Sequence, residues 1–156
     1  MNDVARIKLF TVDQAEKALP LVRRIVGDIV RLAQEHEVKT LERQKLPEHP
    51  TPGSNAEEKA FAIERDILQI EEDVQRCQSE LDEIGVELKD YRIGLIDFYS
   101  RFEGKVVYLC WKLGEGETLA WWHDLSGGFR GRQPITPDNR ARFKGLEAGQ
   151  KFVELA

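Results

Sequence analysis

Four residues in the second half of this chain are of the types that hold a divalent cation: Glu87, Asp97, Glu115 and His123. Carboxylate oxygens suit hard ions, and one imidazole tilts the choice towards zinc, manganese or iron. Asp97 interrupts the apolar run Gly94-Leu95-Ile96-Asp97-Phe98-Tyr99, and His123 follows Trp121 and Trp122. Ionised carboxylates gathered beside apolar walls repel one another, and a cation relieves that repulsion. Glu83, Glu87 and Asp90 add carboxylates at spacings of four and three, which a helix stacks on neighbouring turns. No standard metal motif is present: there is no Glu-x-x-His pair and no His-Glu-x-x-His. Without an ion, Asp97 caps a turn and His123 donates to Tyr108 or to a backbone carbonyl. With one, Tyr108 is the nearest partner for the outer nitrogen of His123.

A second group is basic. Arg130 and Arg132 alternate with Gly127, Gly128 and Gly131. Glycines let backbone amides approach an anion, and guanidiniums grip phosphate or carboxylate. Arg140, Arg142 and Lys144 extend this into a basic ledge for a phosphorylated metabolite or nucleic acid. The plainer reading is that these arginines tie a loop to acidic residues. No catalytic residue stands out, since no serine sits in a glycine elbow and Cys110 lacks an activating motif.

Two heptad helices must carry these groups. Val12, Ala15, Leu19, Val22, Val26, Ile29, Ala33 and His36 are spaced three and four apart, as are Ile63, Ile67, Ile70, Val74, Cys77, Leu81, Ile84 and Leu88. Such stripes face another helix along their length. Thr11 with Gln14 forms a capping pattern, and Pro20 predicts a kink in the first helix. Pro47, Pro50, Pro52 and Gly53 break the chain, and Asn55 can cap the second helix. Folding about residues 51–52 sets Val22 near Leu81. His36, on a core-facing position, reads as a register-setting residue. Ala18, Ile25 and Leu32 widen the first stripe beyond the seam, so that helix must touch more than one neighbour.

After Asp90 the period changes to short β-prone runs, with Gly114-Glu115-Gly116-Glu117 as a hairpin turn. Pairing Leu113 with Thr118 places Tyr108 opposite His123 and Leu109 opposite Trp122. Trp121 and Trp122 then face opposite sides, so one is core and the other needs a separate cover. Thr136 or Asp138 can cap a short helix further on. The net charge of −5 is uneven: residues 57–90 hold twelve acids and four bases, a balance of −8. An acidic helix disfavours nucleic acid on that face. No apolar run approaches a bilayer span, and the start lacks the pattern of a secretion signal. Two cysteines without metal-ribbon spacing agree with the cytoplasm.

Gly94-Leu95-Ile96-Asp97-Phe98, Val107-Tyr108-Leu109-Cys110-Trp111 with Gly114-Glu115, Trp122-His123, and Gly128-Phe129 leading to Arg132-Gln133-Pro134 resemble an uncharacterised bacterial family, a domain of unknown function. The opening Leu9-Phe10-Thr11-Val12 with Leu19-Pro20 resembles it too. The resemblance implies the same layout over nearly the whole chain and brings no activity with it.

The expected fold is α+β: one domain over residues 1–156, a long antiparallel helical hairpin packed on a small three-stranded, mostly antiparallel sheet. The first helix covers 11–46, a linker 47–55, the second helix 56–88, the sheet 94–125, and a loop and tail 126–156. The expected function is a non-enzymatic cytoplasmic binding or assembly module, with Glu87, Asp97, Glu115 and His123 as a divalent-metal site. Its expected partner is a second copy covering Ala18, Ile25 and Leu32. The alternatives are an enzyme holding a small anionic substrate on the 127–132 loop through Arg130 and Arg132, and a nucleic-acid ledge in the tail.

Overall fold

The computed structural model describes residues 4–155. Helix α1 (Val12–Gln44) begins with the expected capping box, Thr11 and Gln14 each accepting from the other's backbone N–H, and it continues through Pro20. Helix α2 (Asn55–Ile84) is capped by Ser54, whose hydroxyl accepts from the Glu57 N–H; Asn55 is already helical. The two helices form the expected antiparallel hairpin. Its ion pairs Arg43–Glu64, Lys39–Asp66 and His36–Glu71 centre the fold-back at about residue 53, slightly beyond the expected point. These pairs are partly exposed, so they set register more than they stabilise.

The second helix stops four residues earlier than expected. Gly85 adopts φ +98°, and its N–H closes the helix on the carbonyls of Leu81 and Asp82. The chain then leaves directly as strand β2 (Val86–Asp90). Leu88 continues the heptad spacing by coincidence, and Glu87 belongs to a strand.

Among the described residues the sheet has six strands rather than three. β3 (Leu95–Phe102), β4 (Lys105–Lys112) and β5 (Trp121–Asp124) fall within the β-prone stretch expected over 94–125. β2 is added on one side and β6 (Gln133–Pro134) on the other, giving the antiparallel order β2-β3-β4-β5-β6. β7 (Phe143–Lys144) pairs with Arg101 and Phe102, further along β3 than β2 reaches. Separately, β1 (Ala5–Ile7) pairs with β8 (Val153–Leu155). The additional strands are short and lack clear alternation, so only their partners make them strands. The expected β4–β5 register holds: Tyr108 lies opposite His123 and Leu109 opposite Trp122. In the tail, the short helix is a 3-10 turn at Arg140–Arg142.

One face of the sheet packs on α1. Ile96, Phe98, Val107, Leu109 and Trp111 join Leu19, Val22, Ile25, Val26 and Ile29 in a single core. Close approach here requires Gly94: a Cβ would lie 2.8 Å from both Val26 and Leu113, at φ +70°. Ile25 and Leu32 are only 4% and 5% exposed, so the wide stripe expected to need a second copy is covered within the chain. Trp122 packs against Phe102 and Phe143, while Trp121 is covered from the other side by Arg132.

Candidate metal centre

The β3–β4 hairpin determines which residues meet on the far face of the sheet. Its loop is the two residues Glu103-Gly104, both at positive φ (51° and 79°), the requirement of a type I′ turn. That turn sets Asp97 directly opposite Cys110, and the β4–β5 register brings His123 beside Tyr108 on the next strand. Asp97, Cys110 and His123 therefore converge from three adjacent strands, with one donor atom of each lying within 4.8 Å of the others. They are 1%, 0% and 3% exposed.

The histidine is oriented from behind. Its Nδ1 lies 2.7 Å from the Asp124 carbonyl oxygen. A carbonyl only accepts, so Nδ1 carries the proton. Nε2 points into the cluster, 3.2 Å from Asp97 Oδ1. The outer nitrogen thus binds a backbone carbonyl rather than Tyr108, whose ring lies 5.2 Å from the imidazole. Burial pushes the Asp97 carboxyl above its usual range despite the opposing pull of His123. Burial also pushes the Cys110 thiol up to about 12, with the nearby Asp97 adding to the shift and Arg132 opposing it. A thiol so placed stays protonated near neutrality unless a cation replaces the proton.

Only two of the four expected ligands reach this point. Glu87 lies opposite Asp97 but is engaged elsewhere: it accepts from Tyr99 (2.6 Å), Tyr108 (3.0 Å) and Lys89 (2.7 Å). Burial alone would raise its pKa, but these donors together hold the carboxyl below its usual range. Glu115 takes two contacts from Arg132 Nη1, at 2.8 and 3.1 Å, and accepts the Lys112 N–H at 2.7 Å. Asp90 accepts the Arg92 N–H, and Glu83 remains on α2, so the expected helical stack of Glu83, Glu87 and Asp90 does not form. Cys110, absent from the expected ligand set, joins Asp97 and His123 instead. The signal for it was the Glu103-Gly104 turn, which fixes the 97–110 pairing.

The basic groups are largely paired. Arg132 is sandwiched between Trp121 and Phe129, 4.8 and 4.2 Å from their centroids, with Nη1 3.9 Å from Cys110 Sγ. Bound to Glu115, it is no free anion clamp, whereas Arg130 is exposed. Arg140 pairs with Asp13 and Glu16, Arg142 with Glu103, and Lys144 Nζ with the Ala141 carbonyl. The ledge is thus mostly stitching within the chain. His36 is half exposed and bonded to Glu71. Among the described residues no helix is long and apolar enough to cross a membrane.

Nitrogen, oxygen and sulfur donors on one buried spot fit a borderline transition metal better than a hard ion. One carboxylate and one thiolate also cancel the two charges of a divalent ion, leaving the buried site neutral. A histidine held through its outer N–H by a carbonyl is a regular feature of metal sites. The chain belongs to the family described as "Uncharacterized conserved protein (DUF2203)", whose model matches residues 8–135 and so spans the whole cluster. No curated protein and no solved structure matches it.

Proposed function

We propose that this protein is a non-enzymatic binding module built around one divalent transition-metal ion, held by the Asp97 carboxylate, the Cys110 sulfur and His123 Nε2. The observation that carries this reading is the buried convergence of three different donor atoms with His123 Nδ1 already engaged by a carbonyl. Thiolate ligation favours zinc or iron over the manganese that an all-oxygen set would accept. Bound there, the ion would supply a cross-link between β3, β4 and β5 and a Lewis-acidic centre. The chain's own residues do the rest. Asp97 and Cys110 balance its charge, Asp124 orients the imidazole, and Tyr108 and Arg132 keep water out. Donors at most 3% exposed favour a structural or regulatory ion over turnover. A reduced cysteine ligand suits the cytoplasm.

Elemental analysis and thermal unfolding with and without chelator test this. The expected result is about one ion per chain, and added zinc at a hundredfold excess over its Kd raising stability by about 2.7 kcal/mol. Cobalt(II) should give a thiolate charge-transfer band that Cys110→Ser and His123→Ala lose and Glu87→Gln keeps. Equal metal shifts in the wild type and in both ligand variants would reject the site.

Self-association is the companion reading. Val38, Leu41, Phe61 and Leu68 are each more than half exposed towards the tip of the hairpin, and these residues, rather than the stripe expected from sequence, support a homodimer. Light scattering at micromolar concentration should give twice the 17.9 kDa of one chain; a monomer mass rejects it.

A further inference from the structure

The donors are sealed from solvent, so an ion must displace a covering group to reach them. Tyr108 and Arg132 both lie against the site. Tyr108 lies over the imidazole, but it belongs to the middle of β4 and its hydroxyl is tied to Glu87 and Tyr99. Swinging it aside would break both of those hydrogen bonds. Arg132 is different. It follows an exposed segment, residues 125–131, that leaves β5 after Asp124 and returns through a single 3-10 turn to β6. Asp124 shapes the near end, its carboxylate accepting the backbone N–H and the hydroxyl of Ser126. Between there and Arg132 the backbone bonds are local, Gly131 to Gly127 and Gly128, and Arg132 to Phe129. The far end is anchored by the β5–β6 pairing that starts at Gln133, and the loop before it is held over Cys110 by the Arg132 side chain, stacked on Trp121, covered by Phe129 and tied to Glu115, with Lys112 also over the Phe129 ring.

We infer that residues 125–131 form the access gate of this metal site and that Arg132 is its latch, bridging two loops across the Cys110 sulfur. The inference rests on the metal reading and adds a regulation to it. The ion exchanges when the Arg132–Glu115 pair and the Phe129 stack open, so anything that competes for either sets the rate of loading. The latch touches the site from outside and supplies no ligand. Weakening it therefore speeds entrance and exit together.

Stopped-flow loading with cobalt(II), and its removal by excess chelator, read both directions through the charge-transfer band. Phe129→Ala, at a residue 41% exposed and outside the core, and Glu115→Gln should each raise the on-rate and off-rate by a common factor of about ten, equivalent to about 1.4 kcal/mol of latch. The equilibrium Kd should stay unchanged. Unchanged rates in Phe129→Ala would overturn the gate. So would a rise in the off-rate alone, which would mean that Arg132 stabilises the ligand set. A wild type that takes up no cobalt sinks the metal reading itself, and the gate with it. A wild type that loads normally while the variants match it sinks only the gate.

Discussion

On β4, Val107, Leu109 and Trp111 join the α1 core, while the alternating Tyr108 and Cys110 belong to the polar cluster on the other side. On β3 the same alternation gives Ile96 and Phe98 to the core, and Asp97 and Tyr99 to the far face. Two surfaces of opposite character are thus written on one set of strands by the two-residue period of the pleat. The apolar face is held by area and fit, and each side chain there is replaceable at the cost of its own burial. The far face is held by pairing. Among the described residues no buried side-chain nitrogen or oxygen lacks a partner, so removing one member strands another.

The largest test of this contrast lies on the apolar face. Phe98 is fully buried and meets Phe10 edge to face at 5.1 Å. Phe98→Ala should destabilise by about 3–5 kcal/mol, read from the denaturant midpoint, with no dependence on pH. A loss under 1 kcal/mol would mean that the core collapses around the gap.

The hairpin seam should give less, because its outer part is only half covered. Ile70 is 8% exposed between the helices. Ile70→Ala should cost about 2–3 kcal/mol, at the low end for a buried isoleucine, and the outward Gln75→Ala less than about 0.5. Equal melting temperatures for the two would put the heptad phase in error.

The smallest effect belongs to the polar face and should carry a pH signature. Tyr99 donates to Glu87 at 2.6 Å, and the Glu87 carboxyl sits below its ordinary value of 4.5. A depressed folded-state pKa contributes stability that is present above the unfolded value and lost as the pH falls through the folded one. Tyr99→Phe should therefore cost about 1 kcal/mol at pH 7, discounted for a half-exposed carboxylate, and progressively less as the pH falls below 4.5. A gap between the two urea midpoints that stays constant from pH 7 to pH 3 would detach Tyr99 from the carboxylate.

Much of the scaffold was legible in the residues. Heptad spacing depends on local helical geometry, and it defined the hairpin and most of its seam. Pairing Leu113 with Thr118 gave the right β4–β5 register, although β4 ends at Lys112 and β5 begins at Trp121, so that residues 113–120 connect the strands by a longer loop than the expected hairpin turn. Asp97 and His123 were conspicuous as polar groups inside apolar runs, and they do meet. What failed depended mostly on competition among distant partners. Leu88 kept the heptad beat, yet Gly85 ended the helix and Val86 found β3. Glu87 and Glu115 had the right chemistry for a metal, but nearer donors claimed them: two tyrosines and a lysine for one, Arg132 for the other. Cys110 read as a packed thiol because nothing beside it in sequence activates it. Sequence alone fixed the residue types, the periodicities and the tight turns, all of which act over a few neighbouring residues. Which carboxylate remains available to an ion, and which arginine covers it, was decided by tertiary structure, because that competition runs between groups brought together only when the strands align.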